Sequence, residues 1–184
     1  EVIRDYDADP HRVFIAGFSA GAAMATVMAA THPQLYAAAG VHSGLPYGAA
    51  HDVPSAFALM RGGSWTSHRE PPLRIPLIVF HGDHDEIVNV VNASNIRQQR
   101  LGIDGVVTAA DGVRVTHGQV PGGHPYTKTI YSDDADVLLE QWIVHGAGHA
   151  WFGGTAGCSY TDPRGPAASA EMVRFFAERR RRQG

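Results

Sequence analysis

A serine between two glycines, where an apolar segment meets an alanine-rich one, is the feature that most constrains this chain. Residues 13–30 read VFIAGFSAGAAMATVMAA, so the pentapeptide G-F-S-A-G occupies residues 17–21. The apolar, β-branched run before it predicts a buried strand over residues 12–17, and the alanine-rich run predicts a helix over Ala20–Thr31. G-x-S-x-G between a strand and a helix is typical of a nucleophile elbow, whose strained backbone lifts the serine hydroxyl above the sheet.

Ser19 has two interpretations at this position. As a nucleophile it would lie beside the N–H of Ala20, at a helix start whose dipole favours the negative charge of an oxyanion. Gly17 and Gly21 would then prevent collisions with the neighbouring strand and helix. As a structural residue, Ser19 would only cap the helix. The strand–helix context favours the nucleophile, which requires an acid and a base elsewhere in the chain.

The order of the remaining segments predicts an α/β fold. Apolar runs predict strands over residues 36–44, 75–85 and 137–146, and helical patterns cover 55–60, 92–101 and 167–181. Alternating residues within 105–132, divided by PGGHP, predict an antiparallel pair. Continuous apolar strands alternating with helices favour a mostly parallel sheet with helices on both faces. A length of 184 residues without a linker predicts a single domain over residues 1–184.

Composition argues against several classes of partner. The formal net charge is −3, which does not favour nucleic acid or an anionic membrane, and no apolar run is long enough to cross a bilayer. The basic run at residues 179–182 is interpreted as a solvated helix end that complements the helix dipole. Cys158 is the only cysteine. Together with the absence of an H-E-x-x-H pattern, this predicts no metal and no cofactor.

Two aspartates compete for the role of the acid. In VFHGDHDEIV both Asp83 and Asp85 follow the strongest predicted strand, in the chain order serine, acid, histidine that this architecture uses. The chain must turn after Gly82 before a carboxylate can reach back over the sheet, which favours Asp85. Asp83 is expected to hold the turn by accepting backbone N–H groups. The alternative is that both aspartates are only loop and cap residues.

The base must be chosen among 11 histidines. His145 and His149 lie on the segment that follows a strand after the acid, and His149 is favoured because it comes after the flexible sequence GAG. His145 is expected to pack beside the strand. His117 and His124, in the hairpin region, are expected to be exposed or to line the substrate site. These choices predict a Ser19–His149–Asp85 triad, with the Ala20 N–H in the oxyanion hole.

Two further histidines, His42 and His81, end predicted strands at the same edge of the sheet. Either could line the pocket, but a hydrogen-bonded polar residue at a strand end is the favoured interpretation of both. His42 is kept as a candidate substrate-binding residue. The shape of the pocket is expected to depend on residues 45–65 and 105–126, whose conformations the sequence does not predict.

Several segments, taken together and in order, resemble the polyhydroxybutyrate depolymerase family of α/β-hydrolase esterases, which is related to the feruloyl and acetylxylan esterases. They are GFSAGAAMA, THPQLYAAAGVHSGLPYG, IVFHGDHDEIVNVVNA, GAGHAWFGG and SYTDPRGPAASAEMVRFF. The resemblance implies a serine esterase with Ser19, Asp85 and His149 as its triad. It also implies that Trp151 lines the acyl or alcohol pocket, where the alternative is an ordinary buried aromatic residue, and that the protein is extracellular or in the cell envelope.

The sequence departs from the family pattern in two places. Ala22 stands where relatives usually have glycine. A helix interior favours alanine over glycine, so this change is well tolerated. The elbow strand also begins near residue 12, whereas an α/β-hydrolase normally has several strands and an oxyanion donor before it. We therefore expect the chain to lack about a hundred N-terminal residues of its domain, including the second oxyanion donor. Cys158 would pair with a cysteine of that segment or be a small buried residue.

Three functions follow from these observations. The first is an esterase that acts on hydroxyalkanoate polyesters or their oligomers, or on feruloyl or acetyl esters of polysaccharides. The second is a peptidase of the same fold. The third is a non-catalytic binding module on a hydrolase scaffold, since a fold alone does not determine function.

Overall fold

Six strands form one sheet in this computed structural model, which describes residues 1–62, 73–102, 112–133 and 136–181. The sheet strands are β1 (Phe14–Phe18), β2 (Ala38–His42), β3 (Leu77–Gly82), β4 (Val113–Gln119), β5 (Pro125–Asp133) and β6 (Asp136–Val144). A short ribbon consists of β7 (Trp151–Phe152) and β8 (Thr161–Asp162). The helices are α1 (Val2–Asp5), α2 (Ala20–Thr31), α3 (Val53–Met60), α4 (Val91–Leu101) and α5 (Ala168–Ala177).

The sheet has the strand order β1-β2-β3-β6-β5-β4 and is parallel over its first four strands. The hairpin of β4 and β5 continues it in antiparallel fashion, as the alternating sequence predicts. β2 and β3 are buried along their whole length, which explains why their sequences are continuous apolar runs. The predicted mostly parallel α/β sheet is confirmed.

Helices cover both faces of the sheet because successive side chains of a strand point to opposite faces. Leu77 and Val79 pack in one core with α2 and α4, whereas Ile78 and Phe80 pack in a second core with α5. Each such fully buried side chain contributes about 1.5–3 kcal/mol to the free energy of unfolding. The prediction that helices cover both faces of the sheet is confirmed.

The carboxyl ends of four parallel strands meet at one edge of the sheet. β3 and β6 are neighbours in direct register there, with Gly82 opposite Val144. The segments that follow these strands therefore leave the sheet side by side. This places the acid and histidine segments next to each other, at the same edge as the segment that follows β1.

The C-terminal helix is shorter than the sequence pattern predicts. α5 ends at Ala177, and residues 179–181 continue outside it and contact the N-terminal segment. The Arg181 N–H donates to the His11 carbonyl at 2.8 Å, and Arg180 pairs with Asp9 at 3.0 Å. The basic run therefore follows the helix instead of ending it, while the Arg180 side chain is exposed, as a solvated end predicts.

Two other features bear on the sequence-based expectations. Cys158 is exposed, so its interpretation as a small buried residue is wrong. No helix among the described residues has the length and apolar character needed to cross a membrane.

A buried glutamate joins the sheet to α5. Glu140 on β6 is 2 % exposed and accepts a hydrogen bond from the Trp142 indole N–H at 2.8 Å. The same carboxylate pairs with Lys128 at 3.2 Å and with Arg174 of α5. A buried charge of this kind is tolerated only when all of its partners are present.

Glu140→Ala is expected to lower the free energy of unfolding by about 2–3 kcal/mol, because it removes the acceptor of the buried Trp142 indole N–H and the carboxylate that pairs with Lys128 and Arg174. Urea unfolding measures the change. Glu171→Ala is the matched control, since it removes a second, partly exposed partner of Arg174 and should change stability by less than about 1 kcal/mol. Equal losses in the two variants would contradict the importance of the buried contact.

Candidate active site

The turn between β1 and α2 holds Ser19 in a strained conformation. Ser19 has φ 56° and ψ −117°, a region that costs a residue with a side chain about 1–3 kcal/mol. A Cβ on Gly17 would lie 2.2 Å from the backbone of Gly21, so only glycine allows the turn to close. A Cβ on Gly21 would meet no described atom within 4 Å, so the expected collision on that side is not found.

The interpretation of Ser19 as a helix cap is wrong. Its side chain makes no capping hydrogen bond to α2. The hydroxyl lies instead 3.0 Å from Nε2 of His149, 130 residues further along the chain. Ala20 begins α2, and the first N–H groups of an α-helix have no acceptor within the helix.

Ser19, His149 and Asp85 form one hydrogen-bonded chain. The ionised Asp85 carboxylate can only accept, so His149 donates through Nδ1 to Oδ2 at 2.7 Å, and Nε2 is left to accept from the Ser19 hydroxyl. The Asp85 side chain is fully buried and that of His149 is 8 % exposed. The three predicted residues are thus brought together. The carboxylate, the imidazole and the hydroxyl follow one another in the order that nucleophilic catalysis uses.

The loop after β3 presents Asp85 as an ionised group. Its Oδ1 accepts the N–H groups of Ile87 at 3.0 Å and Val88 at 2.8 Å. Burial by itself raises the pKa of Asp85, but hydrogen bonds from His149 and Val88 outweigh it, so the pKa lies below its ordinary value. The carboxylate is therefore charged at neutral pH and its orientation is fixed.

His81 lies directly behind this loop and is fully buried. Its Nε2 donates to the Val88 carbonyl at 2.7 Å and lies 3.7 Å from Oδ2 of Asp85. Nδ1 has no hydrogen-bond partner among the described residues. Burial is the main reason why the pKa of His81 is lowered, so the ring is neutral and braces the loop through a carbonyl.

His42 is also fully buried, and its predicted role in substrate binding is therefore wrong. The short strand β7 crosses over it, and the Phe152 N–H donates to its Nε2 at 3.2 Å. Its pKa is well below the ordinary value, chiefly because of burial. The favoured interpretation, a hydrogen-bonded polar residue at a strand end, describes His42 correctly.

Aromatic side chains surround the histidine of the site. The Phe18 ring lies 4.7 Å from the His149 ring, and Trp151 stacks on His42 at 4.9 Å. The indole N–H of Trp151 donates to Ser169 at 3.0 Å, and its side chain is half-buried. Trp151 therefore lies beside the candidate site, as the resemblance implies, while its contact with a substrate stays a prediction.

Asp83 and His145, the two residues that were not chosen as acid and base, pair with each other. His145 donates through Nδ1 to Oδ2 of Asp83 at 2.7 Å, and its Nε2 lies 2.8 Å from the Thr127 hydroxyl. Asp83 does accept a backbone N–H, as expected, but that of Gly146 in the histidine segment, at 2.7 Å. Two Asp–His pairs thus lie at this edge, and only one of them reaches Ser19.

The remaining histidines of the hairpin region differ in exposure. His117 is exposed, as expected. His124 is 8 % exposed and donates to Asp162 at 2.8 Å, so its expected exposure is wrong, because β8 covers it.

Among the described residues no group of His, Cys, Asp and Glu side chains is arranged to hold a metal ion. Residues 63–65 and 105–111, from the segments expected to shape the pocket, lie outside the described residues.

The bracing role of His81 and the contact of Phe18 with His149 were not predicted from the sequence. The motif HGDHD carried a signal for the first, because a histidine four residues before the acid can reach the far side of its loop. The second could have been expected from the position of Phe18, because the neighbour of Ser19 in the chain lies close to the histidine that Ser19 contacts.

The two buried histidines predict that acid weakens the fold. Their pKa values are lowered in the folded chain, so below about pH 6.5 the unfolded chain binds protons that the folded chain does not. The free energy of unfolding is therefore expected to fall as the pH decreases from 6.5, by up to about 1.4 kcal/mol per pH unit for each histidine.

His42→Gln is expected to remove about half of this slope, measured by urea unfolding between pH 8 and pH 5. The loss of stability at pH 8 reports only the change in packing, so the slope alone decides the outcome. An unchanged slope would mean that His42 takes up a proton in the folded chain.

Comparisons with known proteins agree with the geometry. The family model described as Esterase PHB depolymerase matches residues 1–120. Poly(3-hydroxyalkanoate) depolymerase C of Paucimonas lemoignei is 32 % identical over 160 residues, which are 79 % of this chain and 36 % of that protein. Acetylxylan esterase A of Aspergillus oryzae is 28 % identical over 159 residues, 77 % of this chain and 51 % of that protein. The chain thus spans about a third to a half of the length of these relatives.

Solved structures share the fold. An acetyl xylan esterase from Aspergillus awamori superposes with a TM-score of 0.68 at 24 % identity, over 96 % of this chain and 63 % of that one. A PHB depolymerase (S39A) complexed with an R3HB trimer gives a TM-score of 0.59 at 16 % identity, over 92 % and 52 % of the two chains. These likenesses identify the fold of the chain as that of an α/β-hydrolase.

Proposed function

Because this chain belongs to the Esterase PHB depolymerase family, we propose that it carries the catalytic centre of a serine esterase. The observation that supports this most directly is the hydrogen-bonded chain from Asp85 through His149 to Ser19. A binding module on the same scaffold would have no need for a serine at φ 56° aligned with a histidine. We include the whole of residues 1–184 in one catalytic domain.

Acylation begins when Ser19 Oγ attacks the carbonyl carbon of an ester. His149 Nε2 takes the hydroxyl proton as the new C–O bond forms, and Asp85 stabilises the imidazolium through Nδ1–H. The negative charge moves to the carbonyl oxygen, where the Ala20 N–H at the start of α2 donates to it. The imidazolium then returns its proton to the leaving alkoxide, and the ester C–O bond breaks.

Deacylation repeats these steps with water. His149 takes a proton from a water molecule, whose oxygen attacks the acyl carbon of the serine ester. The second oxyanion collapses, Ser19 leaves with the proton from His149, and a carboxylic acid is released. Each half of the reaction uses the same three side chains, which is why their geometry in the resting enzyme supports both.

The substrate class follows from the relatives. One relative is named a poly(3-hydroxyalkanoate) depolymerase, and another is named an acetylxylan esterase. We therefore propose esters of short aliphatic acids, either 3-hydroxyalkanoate oligomers or acetyl groups on polysaccharide, and, as a separate class, feruloyl esters, whose acid is aromatic. We further propose an extracellular or cell-envelope location, because a polysaccharide or polyester chain is too large to enter a cell.

Ser19→Ala is expected to lower kcat for p-nitrophenyl acetate and butyrate by about 10⁴ or more, because the nucleophile is lost. The measurement uses the complete protein. A fluorophosphonate probe should label the unchanged protein and not the variant. Asp85→Asn should lower kcat by about 10⁴ while leaving the probe site in place.

Three results would change the conclusion. Equal activity of the unchanged protein and Ser19→Ala would assign the chemistry to another group. A folded protein without activity or labelling would favour the non-catalytic scaffold. Cleavage of a peptide substrate in preference to 3-hydroxybutyrate oligomers, acetylated xylan and methyl ferulate would indicate a peptidase.

Trp151→Ala is expected to change the ratio of kcat/KM for p-nitrophenyl butyrate over acetate by about tenfold, because removing an indole beside His149 alters the space for the acyl chain. Trp151→Phe is the matched control and should change the ratio less, since it keeps a ring over His42. A constant ratio in both variants would mean that Trp151 is only a packing residue.

A further inference from the structure

The Asp83–His145 pair lies where the acid segment and the histidine segment leave the sheet. Asp83 directly follows β3, and His145 directly follows β6. Asp83 comes two residues before Asp85, and His145 comes four residues before His149. The pair therefore joins the bases of the two segments that carry the acid and the base.

Four contacts hold the two segments together at this point. The Asp83 N–H donates to the Val144 carbonyl and the His84 N–H donates to the Ala147 carbonyl, both at 3.1 Å. The Asp83 side chain adds the bonds from His145 and from the Gly146 N–H, both at 2.7 Å. Those two hydrogen bonds lower the pKa of Asp83 although burial raises it, so the carboxylate is ionised and can only accept.

His145 is held from its other side as well. While Nδ1 donates to Asp83, Nε2 lies 2.8 Å from the Thr127 hydroxyl of β5. The Thr127 oxygen lies 3.1 Å from Nδ1 of His117 on β4. The ring is thus fixed between the acid segment and the hairpin, although its side chain is 40 % exposed.

The segment between His145 and His149 has little rigidity of its own. It consists of Gly146, Ala147 and Gly148, and Gly146 has φ 75°. Glycines give the backbone many accessible conformations, so the direction in which His149 leaves the sheet depends on what fixes the residues before it. The Asp83 carboxylate bonds to both residues at the start of this segment, His145 and Gly146.

We propose that Asp83 and His145 form a clamp that positions His149 between Asp85 and Ser19. The clamp contributes no group to the reaction, and it acts by fixing the start of the Gly146–Gly148 segment. This inference rests on the proposed function, because its effect on rate is expressed through the Ser19–His149–Asp85 chain. Misplacement of a reacting group by about 1 Å can lower a rate by up to about 10²-fold.

Two substitutions of His145 separate positioning from packing. In His145→Asn the amide nitrogen takes the place of Nδ1 and can still donate to Asp83, whereas in His145→Gln it takes the place of Nε2 and reaches towards Thr127. We expect His145→Gln to lower kcat about tenfold with KM within about twofold, and His145→Asn to recover most of kcat. Asp83→Asn should resemble His145→Gln, and the double variant should be little worse than either single one.

His84→Gln is the matched control. His84 belongs to the acid segment and lies 4.0 Å from Oδ1 of Asp83, but its side chain is 75 % exposed. This variant should leave kcat within about twofold of the unchanged protein. Comparable losses of kcat in His84→Gln and His145→Gln would overturn the proposal, because they would mean that any change in the segment disturbs the site.

A spectroscopic measurement tests the clamp without relying on turnover. The ring N–H protons of His145, His149 and His124, each bonded to a carboxylate, should give separate downfield ¹H signals. His145→Gln should remove the His145 signal and broaden or shift that of His149 without moving that of His124, whereas His145→Asn should leave the His149 signal in place. An unchanged His149 signal in both His145→Gln and Asp83→Asn, with unchanged kcat, would overturn the proposal.

The failure of the proposed function would look different. In that case the unchanged protein would neither hydrolyse esters nor react with the fluorophosphonate, while the dependence of the His149 signal on the clamp would still be measurable. A loss of unfolding free energy in the clamp variants without any change in kcat or in the His149 signal would overturn the positioning role, because it would identify the pair as structural only.

Discussion

The close approach of Gly17 to the backbone of Gly21 is the constraint on which the site depends. It allows β1 to turn into α2 within a single residue, and that residue is Ser19, which takes the strain. The Ser19 N–H donates to the His42 carbonyl at 2.9 Å, so the strained residue stays attached to the end of β2. A helix must then begin at Ala20, and its N-terminus lies beside the hydroxyl. The proposed nucleophile and the helix end that would stabilise an anion are thus two results of one backbone geometry.

Most of the fold and the three residues of the hydrogen-bonded chain could be predicted because their signals are local. The apolar strands, the alanine-rich helix and the chain order of Ser19, Asp85 and His149 can each be recognised in short segments. The pairing of Asp83 with His145 could not be predicted in this way, since it requires that β3 and β6 be neighbours in the sheet. The hairpin of β4 and β5 separates these strands in sequence, and nothing in either segment indicates the register of Gly82 with Val144.

The sequence left the role of His42 open for the same reason. A histidine at the carboxyl end of a strand is as consistent with a pocket wall as with a buried support, and the difference depends on what passes over it. Here β7 passes over His42, and the Phe152 N–H donates a hydrogen bond to its ring. The sequence distance between His42 and Phe152 is 110 residues, so no local pattern relates them. The end of α5 was mispredicted for a similar reason. The residues that follow the helix contact residues 9–12, which are far away in the sequence, so the helical pattern alone did not predict where the helix ends.

The neutral rings of His42 and His81 have a consequence for the chemistry. Asp85 has two imidazoles within reach, and a charged His81 would compete with His149 for its negative charge. Burial lowers the pKa of His81, so the ring stays neutral, and in the proposed reaction the charge of Asp85 acts on the imidazolium of His149 alone. The same burial removes water from behind the acid, which strengthens that interaction. The buried histidines of this edge thus support the acid, whereas only His149 joins the acid to Ser19. In the proposed function, this division directs one proton along a single path.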